Sequence, residues 1–437
     1  MSDGAKLRIA NARVPLCVLE GDFADAGEQL ALVDLDIVDG RIARIGAAGH
    51  EAAPEDAAVL DQDGGQVWPG LIDVHTHLDK GHIWPRAANP DGTFASAVEV
   101  VRADRKANWL AEDVRARFEF GLRCAFAHGT VAIRTHLDNP PPQDRTTWPL
   151  FRDLRERWAD RIALQAVSLV TLDELRGAFA ENLADLVAES GGVFGCATSM
   201  LRDIDAQLDR VFALAAERGL DLDFHVDETA DAQAQALRHV AEAALRHRFA
   251  GTILCGHCCS LALQEPKEAE RTLALVREAG IAVVSLPLCN LFLMNRAPGR
   301  TPRWRGVTLL HEMAAHGIPV ALASDNCRDP FYGYGDHDVL EVFREAVRIA
   351  QLDCPVGAWP AAVTRTPAAI MGLPERGVIR VGAPADLILF RARGWSELLS
   401  RPEAGRVVLR AGRPIDTTLP DHRELDDILA RSGVVAT

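Results

Sequence analysis

In the stretch LIDVHTHLDKGHIWP, Leu71 to Pro85, three histidines fall within eight residues, and His75 and His77 stand two apart directly after an apolar run. In an extended chain that spacing turns both imidazoles to one face. Further along, His225 ends the apolar run in FHVDE, His257 ends another in CGHC, and Asp325 follows a third in ASDN. Imidazoles and a carboxylate brought together from separate strand ends suit a divalent zinc, iron or manganese ion with one position left open to water. His75 and His77 read as paired ligands. A lone strand-end histidine is more often hydrogen-bonded and structural, and His82 and His136 are expected to be of that kind. The cluster CGHCC, Cys255 to Cys259, lacks a matching second pair and reads as buried thiols.

The elements that must position these groups are legible as a repeat of short apolar runs and amphipathic segments. The runs GLIDVHTH, GTVAIRTH, RIALQAVSL, GVFGCA, DLDFHVDE, GTILCGHC, IAVVSLP and IPVALASDN read as eight strands. Helix-period segments such as AEDVRARFEFGLRCAFAHG and EAERTLALVREAG lie between most of them, each closed by a glycine. Eight such alternations predict an α/β protein built on a (β/α)8 TIM barrel over residues 67–376, with active-site groups at the C-terminal strand ends. The flanks differ. KLRIANARVPL and LALVDLDIVDGRIARIGA before the barrel, and RGVIRVGAPADLILF and GRVVLRAGRPI after it, alternate apolar and polar residues, with an Asp39-Gly40 turn in the first pair. Residues 1–66 and 377–437 are therefore expected to form one small β-sandwich domain from both termini.

Composition narrows the function class. The chain has 437 residues, is 48% hydrophobic and 25% charged, and carries a net charge of -15, which argues against nucleic acid or an anionic membrane as a partner. A small neutral or cationic molecule fits better. The N-terminus shows no basic region followed by an apolar one, and the longest apolar stretch is broken by Pro287 and Asn290. Nine cysteines without framework spacing read as reduced thiols, which fits the expected cytoplasmic location; a homo-oligomer is also expected.

With these elements in place, PGLIDVHTHLDK, HVDE, CGHC, ASDN and the late RGVIRVGAPADLILF resemble the amidohydrolase superfamily, and within it the cytosine deaminase branch. The resemblance spans nearly the whole chain. It implies one divalent metal ion per subunit, zinc or iron with manganese also compatible, held by His75, His77, His225 and Asp325. It further implies that Glu228 shuttles a proton to the substrate ring and the leaving amine, that His257 orients or polarises the attacking water, and that Asp325 takes a proton from it. The strand-4 segment GVFGCATSM has no lysine to bridge two metals, which agrees with a single ion. A bound divalent metal lowers the pKa of water to about 7, so hydroxide can attack an electron-poor ring carbon, while ammonia leaves only when protonated.

The implied activity is hydrolytic deamination of a small amino-substituted N-heterocycle or cyclic amidine. Two departures concern the substrate. Relatives acting on cytosine resemble one another in a Pro-Gln after strand 3, where this chain has Val170 and Thr171, and in an Asp after the strand-8 ligand, where it has Asn326. Cytosine is thus expected to be a poor substrate. HTHLDK and SDNCRD look closer to relatives that remove alkylamines from s-triazines, so that reaction and the opening of a cyclic amide stand as alternatives. A catalytically silent binding barrel is a further one, against which every expected ligand is present. Lys80, Trp84, Thr171, Asn290 and Asn326 are candidate substrate contacts, with Phe94, Arg328 and Asp329 beside them, because barrel loops form the pocket. The acidic turn DETADAQ after His225 could alternatively begin a helix.

Overall fold

The computed structural model describes residues 6–402 and 405–430. The extreme ends of the expected small domain, and the first five residues of the stretch read for a secretion signal, lie outside them.

The eight predicted strands are present: β1 (Leu71–Thr76), β2 (Thr130–Asp138), β3 (Ala163–Leu169), β4 (Phe194–Ala197), β5 (Leu222–Val226), β6 (Ile253–His257), β7 (Ala282–Ser285) and β8 (Val320–Leu322). Strands β4 to β8 pair in chain order, all parallel. Strands β1, β2 and β3 form a sheet in that order. Bridges Val167 to Val193 and Thr171 to Ala197 continue β3 into β4, and Thr76 to Asp325 joins the end of β1 to the residue run after β8. The fold is TIM-barrel-like α/β. All nine residues of β2 are buried, as a strand covered on both faces requires. The intervening helices carry the apolar stripe expected of them. Helix Pro266–Glu278 buries Ala269, Thr272, Leu273 and Val276 and is followed by Gly280 at φ 65°, a left-handed stop that glycine adopts at no steric cost.

The flanking segments build antiparallel pairs. Leu30–Val38 pairs with Arg41–Ala47 through Asp39 and Gly40, at φ 51° and 76°, the two positive values that a two-residue type I′ hairpin demands. Lys6–Pro15 lies on the other side of Leu30–Val38, and Val67–Pro69 pairs with Leu387–Leu389. Ile9, Val33, Leu35, Val67, Ile379, Leu387 and Leu409 share one apolar core.

Two compact units emerge, one of residues 1–73, 124–132 and 338–419, the other of 74–123, 133–337 and 420–437. Their edges differ from the expected boundaries at 66/67 and 376/377. Helix Val339–Ala350 has the sequence position of a barrel helix, yet it groups with the chain ends, where Phe343 meets Trp68 edge to face at 5.4 Å. Among the described residues no helix is long and apolar enough to cross a membrane.

Candidate active site

Strand β1 delivers His75 and His77 to one face, 0% and 2% exposed. Their ring atoms meet groups from across the barrel: His77 Nε2 lies 3.3 Å from His225 Nε2 and 3.2 Å from Asp325 Oδ1, and His75 Nε2 lies 3.6 Å from the same oxygen. Asp325 is held by its backbone, whose N–H donates to His75 O (2.9 Å) and whose carbonyl accepts from Thr76 Oγ1 (2.8 Å). Its φ of 62° is a conformation that a non-glycine residue keeps only when its surroundings impose it, and His257 at 69° is the same case.

Burial pushes the imidazoles of His75, His77 and His225 well below their ordinary pKa, helped by neighbouring histidines and Lys80. They are therefore neutral, with lone pairs available. Neutral imidazoles facing a carboxylate are the form in which these side chains ligate metal. Both ring nitrogens of His75, and Nδ1 of His77 and His225, find no hydrogen-bond partner among the described residues. Such orphaned buried atoms call for a ligand, and the donor set fits a divalent cation.

Glu228 approaches from the end of β5. Asp227, at φ 49°, turns the chain and accepts the backbone N–H of Ala236 (2.9 Å) and Leu237 (3.0 Å). The following helix begins only at Ala236, so Glu228 does not sit in a helical first turn. Burial, and then the proximity of Asp325, raise the Glu228 carboxyl well above the usual carboxylate range. The shift favours its protonated form. Asn290, on the helix Pro287–Leu293, donates through Nδ2 toward Glu228 Oε1 (3.2 Å) and lies 3.0 Å from His257 Nδ1. Burial lowers the His257 pKa to about 3. With Nδ1 accepting from Asn290, the neutral ring carries its proton on Nε2.

A cavity of about 570 Å³ opens above these groups. His77, His225, Glu228, His257 and Asp325 lie at its floor, and Lys80, Thr171, Asn326, Phe94 and Phe331 are among its walls. Sequence reasoning placed three of its five substrate contacts there. The other two fall elsewhere. Trp84 is packed against Gly333, where an added Cβ would lie 3.0 Å from the ring, and is not among the lining residues; Asn290 is buried behind Glu228 and His257. Thr171 caps a short turn with Glu174 (Oγ1 to Oε2, 3.0 Å), and Asn326 donates to Asp329 (2.7 Å). Asp329 in turn accepts backbone N–H groups of its own loop and is not among the lining residues.

His136, expected to be structural, lies fully buried with its ring 3.9 Å from that of His75 and tilted by 40°. One lining residue was not singled out from the sequence. Asp138, two residues on in RTHLD, lines the cavity. The signal was available: residues 136 and 138 repeat on β2 the same-face spacing of His75 and His77 on β1.

An amidohydrolase family model matches residues 143–416. Over 428 residues the chain is 54% identical to a pterin deaminase of Rhizobium rhizogenes strain K84, covering 98% of each chain. Among solved structures, a 5-methylcytosine deaminase from Klebsiella pneumoniae liganded with 5-fluorocytosine superposes with a TM-score of 0.80 at 24% identity, over 95% of this chain and 98% of the other. An N-isopropylammelide isopropylaminohydrolase from Burkholderia multivorans superposes at 0.74 and 24% identity, over 95% and 100%. At such identity these two likenesses speak for the fold alone.

Proposed function

We propose that this chain, which belongs to the amidohydrolase family and is a metal-dependent hydrolytic deaminase of a heterocycle, acts on a pterin. The observation that carries the substrate is the 54% identity to a pterin deaminase across 98% of both chains. The cavity of about 570 Å³, flanked by Phe94 and Phe331, has room for a flat bicyclic ring. His75, His77, His225 and Asp325 are the residues we assign to one divalent ion, zinc or iron. When bound, such an ion supplies a nucleophilic water at neutral pH.

The remaining chemistry belongs to side chains. As the water oxygen adds to the amino-bearing carbon, Asp325 accepts a water proton, and Glu228 gives its own to an adjacent ring nitrogen. His257 directs its Nε2–H toward the adding oxygen. Glu228 then takes the proton of the newly added hydroxyl and passes it to the amine, the carbon–nitrogen bond breaks, ammonia departs from a ring that has gained a carbonyl, and the proton held by Asp325 returns to Glu228. We also read the protein as a cytoplasmic homo-oligomer, with residues 1–66 and 377–437 as a small β-sandwich domain and residues 67–376 as the barrel.

The test is ammonia release by metal-replete enzyme from pterin, cytosine and N-isopropylammelide. Pterin should turn over with kcat/KM above about 10⁴ M⁻¹s⁻¹ and cytosine far more slowly. Cytosine efficiency above about 10⁵ M⁻¹s⁻¹ with pterin inert contradicts the reading.

A further inference from the structure

Lys80 follows β1 and Asp138 closes β2, side by side in the cavity wall, while Glu228 follows β5, four strands away in the eight-strand cycle. Lys80 Nζ lies 3.1 Å from Asp138 Oδ1, and both residues are buried, 5% and 6% exposed. The pair is locked from behind. Arg105 Nη1 donates to the other Asp138 oxygen (2.9 Å), the Asp138 backbone N–H donates to Asp79 Oδ2 (2.7 Å), and the Phe331 ring lies 5.1 Å from the ammonium. Nothing in the proton transfers above uses it. Burial alone would lower the Lys80 pKa, but Asp138, Asp79 and Asp329 more than offset that and raise it. So the wall presents a group that can only donate beside a group that can only accept.

A ring with its amino-bearing carbon at the cavity floor directs one flanking nitrogen to Glu228 and the other toward this opposite wall. In a pterin the second nitrogen carries hydrogen and adjoins a ring carbonyl, so that edge offers a donor next to an acceptor. We propose that Lys80 and Asp138 read this lactam edge, with Lys80 donating to the carbonyl and Asp138 accepting the ring N–H, and so restrict the enzyme to heterocycles whose amino-bearing carbon adjoins an NH–C(=O) unit. Replacing the carbonyl by an amino group inverts both positions: the ammonium then faces a donor and the carboxylate faces a lone pair. Two buried polar groups are left unpaired at once, the situation in which sites reject an analogue by about 10⁴-fold. The ring's identity rests on the pterin reading; the edge rule does not.

The experiment compares pterin with 2,4-diaminopteridine, and isocytosine with 2,4-diaminopyrimidine, on the holoenzyme and on Lys80→Met and Asp138→Asn, each checked for parental metal content and circular dichroism. Lys80→Gln serves if Lys80→Met misfolds. The parent should prefer the lactam of each pair by at least about 10³-fold in kcat/KM. Each variant should lose about 30-fold or more on the lactam while the diamino compound changes by less than about threefold, and calorimetric binding of the lactam to the Glu228→Gln holoenzyme should weaken likewise when Lys80→Met is added. A parental ratio near one, or a ratio that both variants preserve, overturns the edge reader and leaves the pterin reading standing if pterin is consumed. Inert pterin, with isocytosine consumed and its preference collapsing in the variants, removes the pterin reading and keeps the edge reader.

Discussion

Two histidine clusters lie buried in the larger unit, and their difference bears on which buried imidazoles suit the proposed metal site. In the first, His77 lies 3.3 Å from His225 and 3.2 Å from Asp325, His75 lies 3.6 Å from Asp325, and His77, His225 and Asp325 line a cavity. In the second, His82, Cys327 and His337 hold their ligand-type atoms within 4.8 Å of one another, His82 rests edge-on against Phe120 at 4.8 Å, and none of the three lines that cavity. Burial lowers the pKa of His82 as it does that of His75, with nearby His337 and Arg328 adding to the effect. Neutrality therefore does not separate them. Position does: the first cluster meets Asp325 and borders the cavity, and the second does not line it.

The sharpest way to break this contrast is to remove one member of the first cluster. His75→Ala should lose the metal and lower kcat/KM by more than about 10⁴-fold, since the nucleophile disappears with the ligand. Glu228→Gln should keep the metal yet cost about 10²–10⁴-fold in kcat, because shape is retained while the transferable proton is not. The pH profile gives the sign. In the proposed role Glu228 acts while protonated, and its pKa is raised, so kcat/KM of the parent should fall as pH rises through a value above the ordinary carboxylate range. Glu228→Gln should lack that limb; an unchanged profile would move the proton transfer elsewhere.

The smallest expected effect falls on the second cluster. His82→Asn, chosen because asparagine tolerates the φ of 65°, should leave metal content unchanged and activity within about threefold of the parent, while lowering stability by about 1–3 kcal/mol in denaturant titration. Loss of metal with His82→Asn would mean that the second cluster takes part in ligation, and the distinction drawn above would fail.

Much of the first cluster was legible because it sits on strands. A strand fixes side-chain direction by its period of two, so HTH before the structure already implied a shared face, and eight apolar runs implied a shared rim. The Asp39-Gly40 hairpin was legible for the same local reason. Residues on loops were not. Trp84 lies seven residues beyond His77, and whether it meets substrate depends on how the loop travels, here to Gly333. Asn290 is on a helix whose approach to Glu228 and His257 is tertiary, with no period to announce it. Asp138 was overlooked although its spacing from His136 carried the required pattern. The grouping of helix Val339–Ala350 with the chain ends reflects the packing of Phe343 on Trp68, 275 positions earlier in the numbering, which local patterning does not reveal.

The central claim is that four side chains of the first cluster hold one divalent ion while Glu228 works beside it without ligating. Elemental analysis of purified parent, His75→Ala and Glu228→Gln, paired with ammonia release from pterin on the same samples, tests it most directly. The account predicts one ion per chain and full turnover in the parent, no ion and no turnover in His75→Ala, and one ion with turnover reduced about 10²–10⁴-fold in Glu228→Gln. A His75→Ala protein that retains its ion, or a Glu228→Gln protein that loses it, would contradict the assignment.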